Sequence, residues 1–134
     1  MRFASVRVIT HDVDRLTGFY EQVTGVTARR LTDSFAELVT PGCTLAIGSA
    51  ETMTLFGPGA AVPEANRSAI LEFLVEDVDA EHERLTALPG HPEIVQQPTT
   101  MPWGNRSLLF RDPDGNLVNY FTPLSAEARA RLAR

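Results

Sequence analysis

In the opening run SVRVIT, Val6 and Val8 fall on one face, with Ser5, Arg7 and Ile9 on the other. Alternation of this kind is the signature of a strand whose two faces meet different surroundings. The period then lengthens. In VDRLTGFYEQVT the apolar residues Leu16, Phe19, Tyr20 and Val23 recur at helical spacing. Asp12 stands where an N-cap is needed, and Gly25 where a helix stops. Three short runs follow, TARRLT, FAELVT and CTLAIG, the last two joined at Pro41 and Gly42. They read as three strands.

From residue 68 the same order returns. AILEFLV predicts a strand and Asp77 an N-cap. VDAEHERLTAL predicts an amphipathic helix with Val78, Leu85 and Leu88 inward, stopped by Pro89 and Gly90. EIVQQ, NRSLLFRD and NLVNYFT predict three more strands, the last two turning at DPDG. SVRVITHDVD and ILEFLVEDVD superpose with Asp12 on Asp77, and the two final hairpins match with Gly42 on Gly115. The chain is therefore an internal repeat. The expected fold class is α+β, two βαβββ modules forming a curved half-open mixed barrel with helices outside.

Module one spans 1–49 and module two 68–123 of a single domain. Between them, at 50–67, lies AETMTLFGPGAAVPEANR, whose first part suits a short helical turn. Met53, Leu55 and Phe56 make it too apolar for a free tether, so a packed flap over a cavity is expected. The tail, 124–134, predicts a surface helix capped by Ser125.

Length and composition narrow the classes. A chain of 134 residues is one domain's length, and 43% hydrophobic with 22% charged residues is ordinary for a soluble globular protein. No apolar run approaches the roughly 18 residues of a membrane span, and MRFASVRVITHDV does not read as a signal peptide. No membrane partner is expected. Every basic residue is arginine, yet the formal net charge is −5, which argues against a nucleic-acid partner. The single cysteine, Cys43, has no internal disulfide partner and fits a cytoplasmic location. In GCTLAIG it reads as an inert strand residue rather than a nucleophile.

The stretches HDVDRLTGFYEQVTG, VEDVDAEHERL and PWGNRSLLFRDPDGNLVNYF resemble the vicinal oxygen chelate superfamily. It includes glyoxalase I, extradiol dioxygenases, and fosfomycin and bleomycin resistance proteins. The resemblance runs from residue 3 to about 123, and it implies a fold more firmly than a function, since this fold hosts metal enzymes and metal-free binders alike. Its metal enzymes carry a histidine on the first strand of a module and a glutamate after the hairpin glycine. Counted from the capping aspartates and hairpin glycines, those places fall on Ser5, Ala46, Ile70 and Asn119. None is a carboxylate or imidazole, whereas divalent metals need several such donors. A shift of two along the second module would bring in Glu72, but one acid is no site. Neither metal nor cofactor is expected.

Other candidates are weighed against plainer roles. His11, His82 and His91 read as surface histidines. Asp112 and Asp114 do not match a calcium loop, because the glycine comes too early and no later glutamate follows. A type I turn with a left-handed glycine accounts for them. Arg7 and Glu72 share the faces of Ser5 and Ile70, which places them in the barrel interior, where a buried charge needs a partner. A ligand contact and a structural ion pair or exposed rim position both remain open for them.

Trp103, the one tryptophan, sits between Pro102 and Gly104 in a loop that lets the indole stand free. A core role and a ligand wall are both open. In proteins resembling the bleomycin resistance group, a Trp-Gly at this point lines the drug groove. Phe35 and Phe56 add apolar walls, and Ser5, Arg7 and Asn119 the orienting polar groups. The leading expectation is a homodimeric, metal-free binder that sequesters a partly aromatic small molecule without chemistry. The alternative is a glyoxalase-like lyase or isomerase, or a dioxygenase, with a non-standard metal site.

Overall fold

The computed structural model describes residues 1–133, which fall into two compact units, Met1–Asn66 and a second from Arg67 onward. In the first unit the order is β1 (Ser5–Thr10), α1 (Val13–Thr24), β2 (Arg29–Thr32), β3 (Phe35–Val39) and β4 (Thr44–Ser49). A 3-10 helix, Ala50–Leu55, follows directly. The sheet order is β1-β4-β3-β2, with β1 and β4 parallel and the other pairs antiparallel.

Register explains which side of this sheet the helix covers. Val6 pairs with Leu45 and Val8 with Ile47, all on one face. Against that side α1 buries Val13, Leu16, Tyr20 and Val23. Each such side chain removed from water contributes about 1.5–3 kcal/mol. Two local devices set the limits of α1. Asp12 accepts from the Arg15 amide at 3.0 Å, and Gly25, at φ 73°, donates back to the Glu21 carbonyl at 2.9 Å.

The second unit repeats the plan. It runs β5 (Ile70–Leu74), α2 (Val78–Thr86), β6 (Ile94–Thr100), β7 (Asn105–Arg111), β8 (Leu117–Pro123) and α3 (Ala126–Leu132). Its sheet order, β5-β8-β7-β6, matches the first, again with one parallel pair, β5 and β8. The core is aromatic here. Tyr120 meets Phe110 edge-on at 5.0 Å and Phe73 at 5.7 Å, between sheet and α2, which buries Val78 and Leu85. Asp77 caps α2 by accepting from the Asp79 and Ala80 amides, and Ser125 caps α3 through the Ala128 amide.

The α+β class, the two βαβββ modules and the caps agree with the sequence. Some limits moved. Strand β6 continues to Thr100 past Pro98, which an edge strand tolerates because no ladder bond is lost there. Helix α2 stops at Thr86, so Leu88 lies beyond it and is half-buried. The connecting segment opens as the expected helical turn, but Leu55 is 85% exposed, so that residue does not pack as a flap would.

At DPDG the turn reading holds. The Gly115 amide donates to the Asp112 carbonyl at 3.0 Å, with Gly115 at φ 85°. Asp112 itself is buried. Its Oδ1 accepts from the Asp114 and Asn116 amides and its Oδ2 from the Asn116 side chain. Its oxygens are occupied by the turn itself.

Candidate functional site

On the first unit, the face opposite α1 carries Ser5, Arg7 and Ile9 beside Thr44, Ala46 and Gly48, and then Phe35, Glu37 and Val39 of β3. Arg7 is at its centre. Its guanidinium lies 4.7 Å from the centre of the Phe35 ring and 5.2 Å from that of Phe56. Two pieces of local chemistry bring those rings together. Gly48 pairs with Phe35, and a Cβ there would meet the ring in ordinary contact at 3.7 Å but crowd Thr52 Oγ1 of the following 3-10 helix at 3.2 Å, so the bare backbone lets that helix pack close. The 3-10 helix then returns the chain so that Phe56, which follows it, reaches Arg7.

Arg7 is exposed, and Ser5 beside it is exposed too. Alternation identifies a face but not what covers it. Among the described residues Arg7 makes no ion pair. The acid nearest in register, Glu37 opposite Ala46, is held instead by Arg29 at 3.3 Å. Two aromatic faces hold a cation whose edge-directed N–H groups have no carboxylate to meet.

On the second unit the corresponding face carries Ile70, Glu72 and Leu74 of β5 beside Leu117, Asn119 and Phe121 of β8. The parallel register sets Glu72 opposite Asn119, and the Asn119 amide donates to Glu72 Oε2 at 2.7 Å. Asn119 is only 8% exposed, and its Oδ1 is buried without a hydrogen-bond partner. Glu72 is exposed, so the pair meets solvent through the carboxylate. Its partner is a neutral amide rather than a cation.

Trp103 sits in the turn before β7, 58% exposed. The Gly104 amide closes this turn onto the Met101 carbonyl at 3.0 Å, and Arg131 donates to the Trp103 carbonyl at 2.6 Å. The indole therefore projects from a fixed backbone. The structure thus brings together Arg7, Phe35 and Phe56 on one unit, and Glu72 with Asn119 on the other.

His11 and His91 are exposed and His82 is half-exposed on α2. A concavity of about 410 Å³ beside the start of α1, which the sequence did not suggest, is lined by His11, Asp14, Asp33 and Glu51 among others. Two of its acids already have structural work: Asp12 caps the helix, and Asp14 pairs with Arg30 at 3.3 Å. Three ionisable groups are displaced from their ordinary range, Arg106 upward through its hydrogen bond to Asp79. The Arg106 guanidinium, hydrogen-bonded to Asp79, holds that carboxyl low. Burial first, and the charge of Glu81 second, push the Tyr120 phenol up.

The residues at the inherited metal positions do not fit a divalent ion. Ser5 offers a hydroxyl, Ala46 a methyl, Ile70 an alkyl chain and Asn119 an amide already tied to Glu72. Among the described residues no group of three His, Cys, Asp or Glu side chains is placed to hold a metal.

A family model for the Glyoxalase/Bleomycin resistance protein/Dioxygenase superfamily matches residues 2–120. A search of curated proteins found no match. Among solved structures, a glyoxalase/bleomycin resistance protein/dioxygenase from Nocardioides is 25% identical, with a TM-score of 0.76 over 94% of this chain and 85% of that one. TioX from Micromonospora sp. ML1 is 26% identical, with a TM-score of 0.68 over 92% of this chain and 100% of its own. A family enzyme from Burkholderia phytofirmans PsJN, 19% identical, shares the fold at a TM-score of 0.80 over 92% of this chain and 100% of its own. The chain belongs to the glyoxalase/bleomycin resistance protein/dioxygenase superfamily.

Proposed function

We propose that this protein binds a small organic molecule, part aromatic and part anionic, without a resident metal and without transforming it. The observation that carries this reading is Arg7 between Phe35 and Phe56. The two rings near the guanidinium leave it without a carboxylate partner, and its fork of donors suits two-point binding of a carboxylate or phosphate. The rings supply apolar contact for the rest of the molecule, and Ser5 on the same face adds a hydroxyl. On the second unit, taken by itself, an aromatic contact is assigned to Trp103 and polar contacts to Glu72 and Asn119.

Homodimerisation in the cytoplasm belongs to the same proposal. Its support is the apolar Ile70 and Leu74, 47% and 58% exposed on the edge strand β5, and the lone Cys43. None of the described helices is long and apolar enough to cross a membrane. Sedimentation of the purified protein reads the assembly, and a monomer at micromolar concentration sinks that part.

The binding test is calorimetric titration with a panel of aromatic carboxylates, using protein dialysed against EDTA and assayed for metals. Saturable binding by the metal-free protein, lost in Arg7→Met, is expected. Retained stoichiometric Zn, Ni, Mn or Fe that binding requires, or turnover of a bound carboxylate, would overturn the reading.

A further inference from the structure

We propose that Glu72 and Asn119 form a receptor for a protonated nitrogen, the ammonium or amidinium of an organic ligand. The receptor occupies the place on the second unit where the metal enzymes of this superfamily carry a glutamate. It rests on the small-molecule reading above but not on the Arg7 site.

The geometry leaves acceptors in surplus. Asn119 spends an amide hydrogen on Glu72, and its carbonyl oxygen is left buried and unmatched. An orphaned acceptor of this kind is rare in a folded protein and destabilises it until a donor arrives. The carboxylate beside it has no cation among the described residues. The exposed carboxylate, already fixed by one amide N–H, asks for a group with N–H donors and a positive charge.

The surroundings sharpen that choice. On the same face the pair is flanked by Ile70 and Leu117 on one side and by Leu74 and Phe121 on the other. Ile70 and Leu74 are 47% and 58% exposed, so water still reaches them. They offer contact to the carbon skeleton that carries the nitrogen. A metal ion would find one carboxylate and one amide, fewer donors than it requires. Bulk water hydrates the exposed Glu72, so a ligand must bring charge and N–H donors together to replace it.

The test is a titration of the full-length, 15N-labelled protein with benzylammonium, its neutral counterpart benzyl alcohol, and benzoate. Benzylammonium is expected to shift the Asn119 side-chain amide resonances saturably, binding about tenfold tighter than benzyl alcohol. Glu72→Gln, at an exposed position, should weaken benzylammonium about tenfold. Asn119→Asp should tighten it, an effect that loss of packing alone would not produce. Equal binding of ammonium and alcohol, or no Asn119 shift at all, overturns the proposal and leaves a buried water as the occupant. Benzoate separates the two ideas. If benzoate binds through Arg7 while benzylammonium does not, this inference falls and the broader reading stands. If benzylammonium binds and benzoate does not, the Arg7 reading falls and this one stands.

Discussion

Gly104 and Ser125 approach so closely that no side chain fits between them. A Cβ on Gly104 would collide with Ser125 Oγ and lie 2.8 Å from Ser125 Cβ, and the backbone is at φ 94°. The Gly104 carbonyl also receives the Leu124 and Ser125 amides, so this contact docks the start of α3. Gly104→Ala is expected to lower stability by about 3 kcal/mol, roughly 10 °C in melting temperature. Gly59→Ala, at φ 79° with open space around it, is the comparison and should cost about 1 kcal/mol. Thermal melts of both variants separate the collision from the dihedral.

Asp112 is a structural carboxylate. Removing it in Asp112→Ala strands the Asp114 and Asn116 amides and the Asn116 side chain at a buried turn. Urea unfolding should show a loss of about 2–4 kcal/mol. Millimolar calcium should leave the melting temperature of the unmodified protein unchanged.

Arg7 is exposed, and its contacts are the two rings, so Arg7→Met should fold normally and melt within about 2 °C of the parent. Its affinity for benzoate should fall at least about tenfold, the weight of a hydrogen bond to a charged group. Arg7→Lys should lie between, because an ammonium offers a point charge without the planar fork. Calorimetry on the three proteins checks the order. Equal affinities would remove Arg7 from the site.

Tyr120 makes stability depend on alkaline pH. Its phenol is raised in the folded state, chiefly by burial, whereas the unfolded chain releases that proton near pH 10. The contribution is therefore complete below about pH 10 and declines as pH rises above it, because the unfolded state ionises first. Urea unfolding between pH 8 and 11 should show this decline, and Tyr120→Phe should reduce it. Parallel profiles for the two proteins would assign the loss to other groups.

Local chemistry was readable from the chain; chemistry across strands was not. Asp12, Asp77 and Ser125 act on amides within three residues of themselves, so the sequence contains both partners. The pairing of Glu72 with Asn119 depends on a parallel register between strands far apart in sequence. Both residues were candidates, but nothing in the spacing joined them. For Arg7, the alternation placed it correctly with Ser5 and Ile9. Its partners depended on where the chain turned after β4, which brought Phe56 back from a segment without a repeating pattern.

Arg7 and Glu72 stand at the same place in the two sheets, each on the strand that leads into a capped helix. Each lies beside the matching residue of the last strand, Ala46 or Asn119. The backbone that supports each is hydrogen-bonded within its own four strands. A duplicated plan of this kind offers two equivalent positions, and this chain has given them opposite charge. A substitution at either one changes the charge of its own face and leaves the ladder of the other sheet untouched.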